Sequence, residues 1–122
     1  MRLKVSETGL YTYPDVIAVC DEPRFDDEHK DTLLNPKLII EVLSQSTKAY
    51  DRGDKFKHYR TIQTFTEYLL VSQKEYHIEH YLRQNNNQWL LSETKDLQAS
   101  IQLLSIQCQL TLADIYDKVV PL

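Results

Sequence analysis

The sequence predicts an α/β fold with a central mixed β-sheet flanked by helices, and three observations predict it. Leu38-Ile39-Ile40-Glu41-Val42-Leu43 is an apolar run interrupted only by Glu41. Residues 46–60 then turn helical, with Phe56, Tyr59 and Ile62 stepping by three along one broad face. Tyr68-Leu69-Leu70-Val71 follows as a second short run, apolar on both faces. Strand, helix and strand in that order place the two strands parallel through a crossover. Strands apolar on both faces belong to a sheet covered on both sides.

The remaining elements follow in chain order. Residues 2–8 alternate weakly through Leu3 and Val5 and reach Gly9, the pattern of a short strand entering a turn. Residues 11–20 read as one returning strand, with Tyr13, Asp15, Ile17 and Val19 on one face and Val16, Ala18 and Cys20 on the other. With both faces apolar, this strand is expected to be central. The stretch from Asp21 to Leu34 is acidic and contains Pro23, so an exposed loop with at most a helical turn is expected. Pro36 introduces the strand 37–44; Ser46 or Thr47 is the expected N-cap of the helix, and Gly53 weakens its middle. Tyr76–Leu82 and Trp89–Glu93 make a hairpin around Gln84-Asn85-Asn86-Asn87. Ile101–Leu104 is expected to add an edge strand, and Leu112–Tyr116 a terminal helical turn. With no internal repeat and no linker composition, residues 1–122 read as a single domain.

Composition narrows the class. The chain is 42% hydrophobic and 26% charged with two glycines, which excludes a disordered or low-complexity protein. No apolar run approaches the ~20 residues that cross a bilayer, and Met1-Arg2-Leu3-Lys4-Val5-Ser6 lacks the apolar core of a signal peptide. A cytoplasmic protein is expected, with Cys20 and Cys108 as reduced packing residues, since they form no CxxC pair. A net charge of -4 argues against gripping nucleic acid over the whole surface. A local basic face remains, because Lys48, Arg52, Lys55, Lys57 and Arg60 cluster, whereas acids crowd the stretch from Asp21 to Asp31.

Glu41 is the residue that asks for chemistry. Burying an unpaired carboxylate costs several kcal/mol, so a metal ion, a lysine or an arginine must compensate it. Asp15 heads another apolar run, and Lys55 lies on the helix that follows the Glu41 strand. Two carboxylates on adjacent strands can hold Mg²⁺ (or Mn²⁺) by oxygen ligation, leaving positions for water and a substrate phosphate. A structural ion pair between Glu41 and Lys55, with Asp15 an ordinary turn residue, accounts for the same spacing. Asp51 pairs with Lys55 at i+4 or orients it. His77 and His80, three apart on a strand, face opposite sides and do not chelate zinc together. His58 reads as a surface residue of the basic helix, and Tyr11 and Tyr13 could stack on bases in an open groove.

The ordered set Pro14-Asp15, then Ile40-Glu41-Val42-Leu43-Ser44, then Asp51, Lys55 and Tyr59, and finally Glu67-Tyr68-Leu69-Leu70-Val71, resembles the Uma-two family of putative restriction endonucleases. That family is grouped with the PD-(D/E)xK nuclease superfamily. The resemblance runs from Val5 to Tyr116 and implies a restriction-endonuclease-like fold and Mg²⁺- or Mn²⁺-dependent hydrolysis of DNA. It places Asp15 and Glu41 on the metal and makes Lys55 the catalytic lysine. The tripeptide lysine of the superfamily is replaced by Leu43, so the following helix must supply the lysine. The family also carries a segment with an acidic helix before the first strand, and the chain is expected to be amino-terminally shortened against it. The shortening leaves open a catalytically inactive, dimeric binding module on the same scaffold; the edge near Trp89 could pair with a second copy as a homodimer.

Overall fold

The computed structural model describes residues 1–119 apart from Asp27 and His29. A five-stranded sheet forms its centre, built from β3 (Val16–Ala18), β5 (Leu38–Leu43), β6 (Glu67–Ser72), β7 (Ile78–Arg83) and β8 (Trp89–Thr94), in that spatial order. Within this sheet only β5 and β6 run parallel, in register from Leu38 opposite Glu67 to Leu43 opposite Ser72. The crossover between them holds the helices α1 (Lys48–Arg52) and α2 (Asp54–Tyr59). The sheet is therefore mixed, as expected from the strand, helix and strand pattern.

Alternation in β5 divides the core. Ile39 and Leu43 face the helices and join Phe56, Tyr59, Phe65, Tyr68 and Leu70 in one apolar cluster. Leu38 and Ile40 face the opposite side, where Leu69, Val71 and Ile78 meet α3 (Leu112–Val119) through Leu112 and Ile115. Aromatic rings dominate the helix side: Phe56 stacks on Tyr68 with centroids 4.8 Å apart and meets Trp89 edge-on at 5.1 Å. Such pairs add about 0.5–1.5 kcal/mol each beyond burial.

Several local expectations are corrected. Residues 11–20 do not form one central strand. Pro14 offers no amide hydrogen for a ladder, and the chain splits there into β2 (Leu10–Thr12) and the edge strand β3. β2 pairs instead with β1 (Arg2–Val5), Leu3 opposite Thr12, and β4 (Thr32–Leu33) completes this second sheet on the other side of β1. β4 lies inside the stretch read as an exposed loop; Thr32 and Leu33 are buried, and Phe25 bridges to Leu33.

The predicted single helix over 46–60 breaks at Gly53 (φ -101°, ψ -97°), leaving two short pieces. Thr47 occupies the N-cap position without a side-chain cap bond, because its hydroxyl pairs with Ser44 Oγ at 2.8 Å. Ile101–Leu104 is not an edge of the main sheet. It corresponds to β9 (Ser100–Leu103), which pairs with β10 (Cys108–Thr111) in a separate two-stranded sheet. Cys20 is exposed rather than packed, its thiol 2.8 Å from Ser105 O, and Cys108 is half-buried; both are free thiols. No helix among the described residues is long and apolar enough to cross a membrane.

Candidate active site

β3 and β5 run antiparallel with Val16 opposite Ile40, which sets Asp15, just ahead of β3, beside Glu41. The two residues interlock. Asp15 N–H donates to Glu41 Oε1 at 3.1 Å, and Val42 N–H donates to Asp15 Oδ2 at 2.7 Å. From the helix side, Tyr59 Oη donates to Glu41 Oε2 at 3.3 Å and sits 2.9 Å from Thr12 Oγ1. Lys55 Nζ contacts Glu41 Oε2 directly and lies 3.3 Å from Asp51 Oδ1. Glu41 and Asp51 are only 2% and 3% exposed, so this is an interior cluster opening to solvent at Asp15.

Burial pushes the Glu41 carboxyl above its ordinary value of 4.5, against the opposing pull of Lys55 and the Asp15 amide; Asp51 adds to the rise. Burial also pulls the Lys55 ammonium down, but the hydrogen bond and charge of Glu41, with Asp51 adding to them, outweigh it and leave Lys55 above its ordinary 10.5. Lys55 therefore carries its proton at neutral pH. Burial, with Glu41 nearby, drives the Tyr59 phenol far upward, so Tyr59 remains a neutral donor.

Formal charge does not balance here. Glu41 and Asp51 bring two carboxylates against the single ammonium of Lys55, while the exposed Asp15 carboxylate, held by Val42 N–H, stands outside those contacts. Asp51 Oδ1 is buried and has no hydrogen bond, leaving only the ion-pair contact. The hard carboxylate oxygens of Asp15 and Glu41, interlocked at the open end of this cluster, suit a divalent cation of the Mg²⁺ or Mn²⁺ type. Asp15 and Glu41 are the residues that would hold it.

The structure thus brings Asp15, Glu41 and Lys55 together, and it adds Asp51, Tyr59 and Thr12. The spacing of Asp51, Lys55 and Tyr59 by fours carries the signal for a shared helical face, although Gly53 interrupts it. His77 and His80 point to opposite faces of the sheet. His77 Nε2 lies 2.9 Å from Glu93 Oε1, and His80 Nε2 lies 2.5 Å from Glu67 Oε2. Glu67, fully buried, also accepts from Ser105 N–H at 2.9 Å and Ser105 Oγ at 2.5 Å.

One row across the sheet is rich in acids. Glu41 pairs with Leu70, Leu70 with Glu79, and Glu79 with Glu93. Arg52 Nε donates to both oxygens of Glu79 at 3.0 and 2.8 Å. His77, Glu79 and Glu93 place ligand atoms within 4.8 Å of one another, but Arg52 already supplies the cation there.

A mixed sheet that holds two interlocked carboxylates at one edge, with a lysine from the crossover helix, defines a nuclease-like α/β fold. The chain belongs to the Uma2 family, described as "Putative restriction endonuclease", whose model matches residues 1–114. Among curated proteins it is 44% identical over 102 residues to the uncharacterized protein sll1609 of Synechocystis, covering 84% of this chain and 58% of that protein. It is 40% identical over 91 residues to slr1290 of the same organism, covering 75% and 47%. The chain therefore spans about half the length of the curated relatives it matches. A crystal structure from Anabaena variabilis, described as a putative nuclease belonging to DUF820, superposes with a TM-score of 0.71 at 15% identity, covering 95% of this chain and 64% of that one. That likeness supports the fold.

Proposed function

We propose that residues 1–122 form one restriction-endonuclease-like domain that hydrolyses DNA phosphodiester bonds with Mg²⁺ or Mn²⁺. The observation that supports this reading is the excess of acid at Glu41: the carboxylates of Glu41 and Asp51 share one ammonium, and Asp15 interlocks with Glu41 at the open end of the cluster. Asp15 and Glu41 would hold the metal, which would supply Lewis acidity and a water of lowered pKa.

The chain's own residues do the rest. Asp15 and Glu41 fix each other through backbone hydrogen bonds, so their oxygens are set before substrate arrives. Lys55, protonated, orients the attacking water and offsets charge that develops on the phosphoryl oxygens. Tyr59 holds Glu41 Oε2 and, with its proton retained, keeps that oxygen facing Lys55. Incubating the purified protein with plasmid DNA and Mg²⁺ or Mn²⁺ tests the reading. Cleavage that persists in Glu41→Ala sinks the site assignment.

A non-catalytic, dimeric module is the second reading, and β8 favours it. This edge strand leaves one side unpaired and exposes Leu90 (56%) and Leu91 (45%), the surface on which a second copy would pair. Absence of metal uptake in titration calorimetry by the folded protein decides for that reading.

A further inference from the structure

Two exposed tyrosines lie next to residues of the carboxylate and lysine cluster. Tyr13, 71% exposed, lies two residues before Asp15, within about 7 Å along an extended chain. Tyr50, 42% exposed, precedes Asp51, and Lys55 Nζ stands 5.9 Å from its ring centroid. Both tyrosine rings are open to solvent beside a buried charged centre, and the Tyr50 ring also meets the Lys55 ammonium. Their faces match what an unpaired nucleobase offers: a flat π surface that a duplex keeps stacked inside itself.

Charge around the site is as uneven as its aromatic content. Beyond Glu41, at the carboxyl ends of β5 and β6, a cleft of about 320 Å³ is lined by Ser44, Lys48, Lys74 and His77, with Arg52 already held by Glu79 and Glu75 the acid in its wall. In open α/β sheets ligands settle in this position relative to the strands. Ser44 lies three residues from Glu41, roughly 10 Å along the strand. On the Asp15 side, Pro23 and Phe25 from the acidic stretch share with Asp15 the wall of an apolar cavity of about 360 Å³. A duplex presents two phosphate backbones and would bring one of them against that acidic stretch. A single strand can follow the basic side alone.

We propose that the site takes an unpaired DNA strand, its bases stacking on Tyr13 and Tyr50 on either side of the scissile phosphate and a neighbouring phosphate resting in the Lys48 and Lys74 cleft. This rests on the nuclease reading of Asp15, Glu41 and Lys55, and it names the substrate form on which that site works.

The test measures binding and cleavage separately. Fluorescence anisotropy with a labelled oligothymidylate and with the corresponding thymidine–adenine duplex, both without divalent metal, should show the single strand bound roughly tenfold or more tightly. Tyr13→Ala and Tyr50→Ala should each weaken that binding about tenfold, whereas Tyr13→Phe and Tyr50→Phe retain it, since phenylalanine keeps the stacking face. Lys48→Glu combined with Lys74→Glu should weaken binding and flatten its salt dependence. Equal or tighter duplex binding, or alanine variants that bind like the parent protein, overturns the proposal. Cleavage of the same oligonucleotides with Mn²⁺ separates the two claims. Strand binding through the tyrosines without cleavage upholds the strand preference and defeats the nuclease reading. Duplex cut equally well by the alanine variants does the reverse.

Discussion

Asp15 and Glu41 are joined through the main chain as much as through their carboxylates: each residue's side chain accepts an amide hydrogen from the other's strand, at 3.1 Å and 2.7 Å. The acceptor role at Asp15 can be kept while its charge is removed. Asp15→Asn should fold with stability within about 1 kcal/mol of the parent, because an amide oxygen still accepts from Val42 N–H. Metal uptake, read by calorimetry with Mn²⁺, should fall at least tenfold. A variant that binds Mn²⁺ like the parent removes Asp15 from the ligand set.

Glu41→Gln should stabilise the protein at neutral pH while abolishing cleavage. The folded-state pKa of Glu41 is raised by burial, so the native state binds this proton more tightly than the unfolded chain does. Glu41 therefore favours folding at low pH, and that contribution is lost as pH rises through its folded pKa, above 4.5. Glutamine removes the charged state and keeps an acceptor for the Asp15 amide. A gain of about 0.5–2 kcal/mol in urea unfolding is expected, the usual scale when a strained functional charge is removed.

Lys55→Met should act in the opposite direction. It leaves Glu41 and Asp51 buried side by side without their cation, and breaking a buried pair from one side costs about 3–5 kcal/mol. Thermal melting reads the loss. In the double variant with Glu41→Gln most of it should return, and a purely additive double variant would show that the two groups do not interact.

Glu67 gives the contrasting pH dependence. Burial pushes its carboxyl up, but the hydrogen bonds from His80 and Ser105 outweigh burial and hold it below its ordinary 4.5. With the folded pKa depressed, its contribution is complete above 4.5 and is lost as pH falls through the folded value. Glu67→Gln should cost about 1–3 kcal/mol at neutral pH, and the gap to the parent should narrow in acid below the ordinary carboxylate range. Urea titrations across that range measure it. A gap independent of pH would mean that the carboxylate's charge plays no part.

Much of this was legible in the chain itself, and the failures have physical causes. The strand 37–44, the following helix and Tyr68–Val71 declared themselves through apolar period and length, so the parallel pair β5 and β6 and the approach of Lys55 to Glu41 were accessible. The split of residues 11–20 was not, because Val16, Ile17 and Ala18 alternate equally well in an edge or a central strand; only the missing amide of Pro14 marks the break. β4 escaped because two residues carry no period, and its burial is set by pairing with β1. Asp51 read as an i+4 partner of Lys55 or as the residue that orients it, and neither reading carries its burial. Its burial follows from the packing of α1 on the sheet, where Tyr68 Oη donates to Asp51 O at 3.0 Å. Glu67 stood in the family motif, but its network was not legible, since its partners His80 and Ser105 come from other parts of the sequence.

Gly53 separates Arg52 from Lys55 and parts α1 from α2, yet both cations land on acids of one row of the sheet, Arg52 on Glu79 and Lys55 on Glu41. One strand, β6, separates those acids, so the pair of contacts fixes how the crossover is rotated over the sheet as well as where it sits. Arg52 thus works as a remote alignment pin for the lysine. Losing its grip on Glu79 would let the segment on either side of the glycine swivel, and the ammonium would drift from its station without any change to the carboxylates it serves.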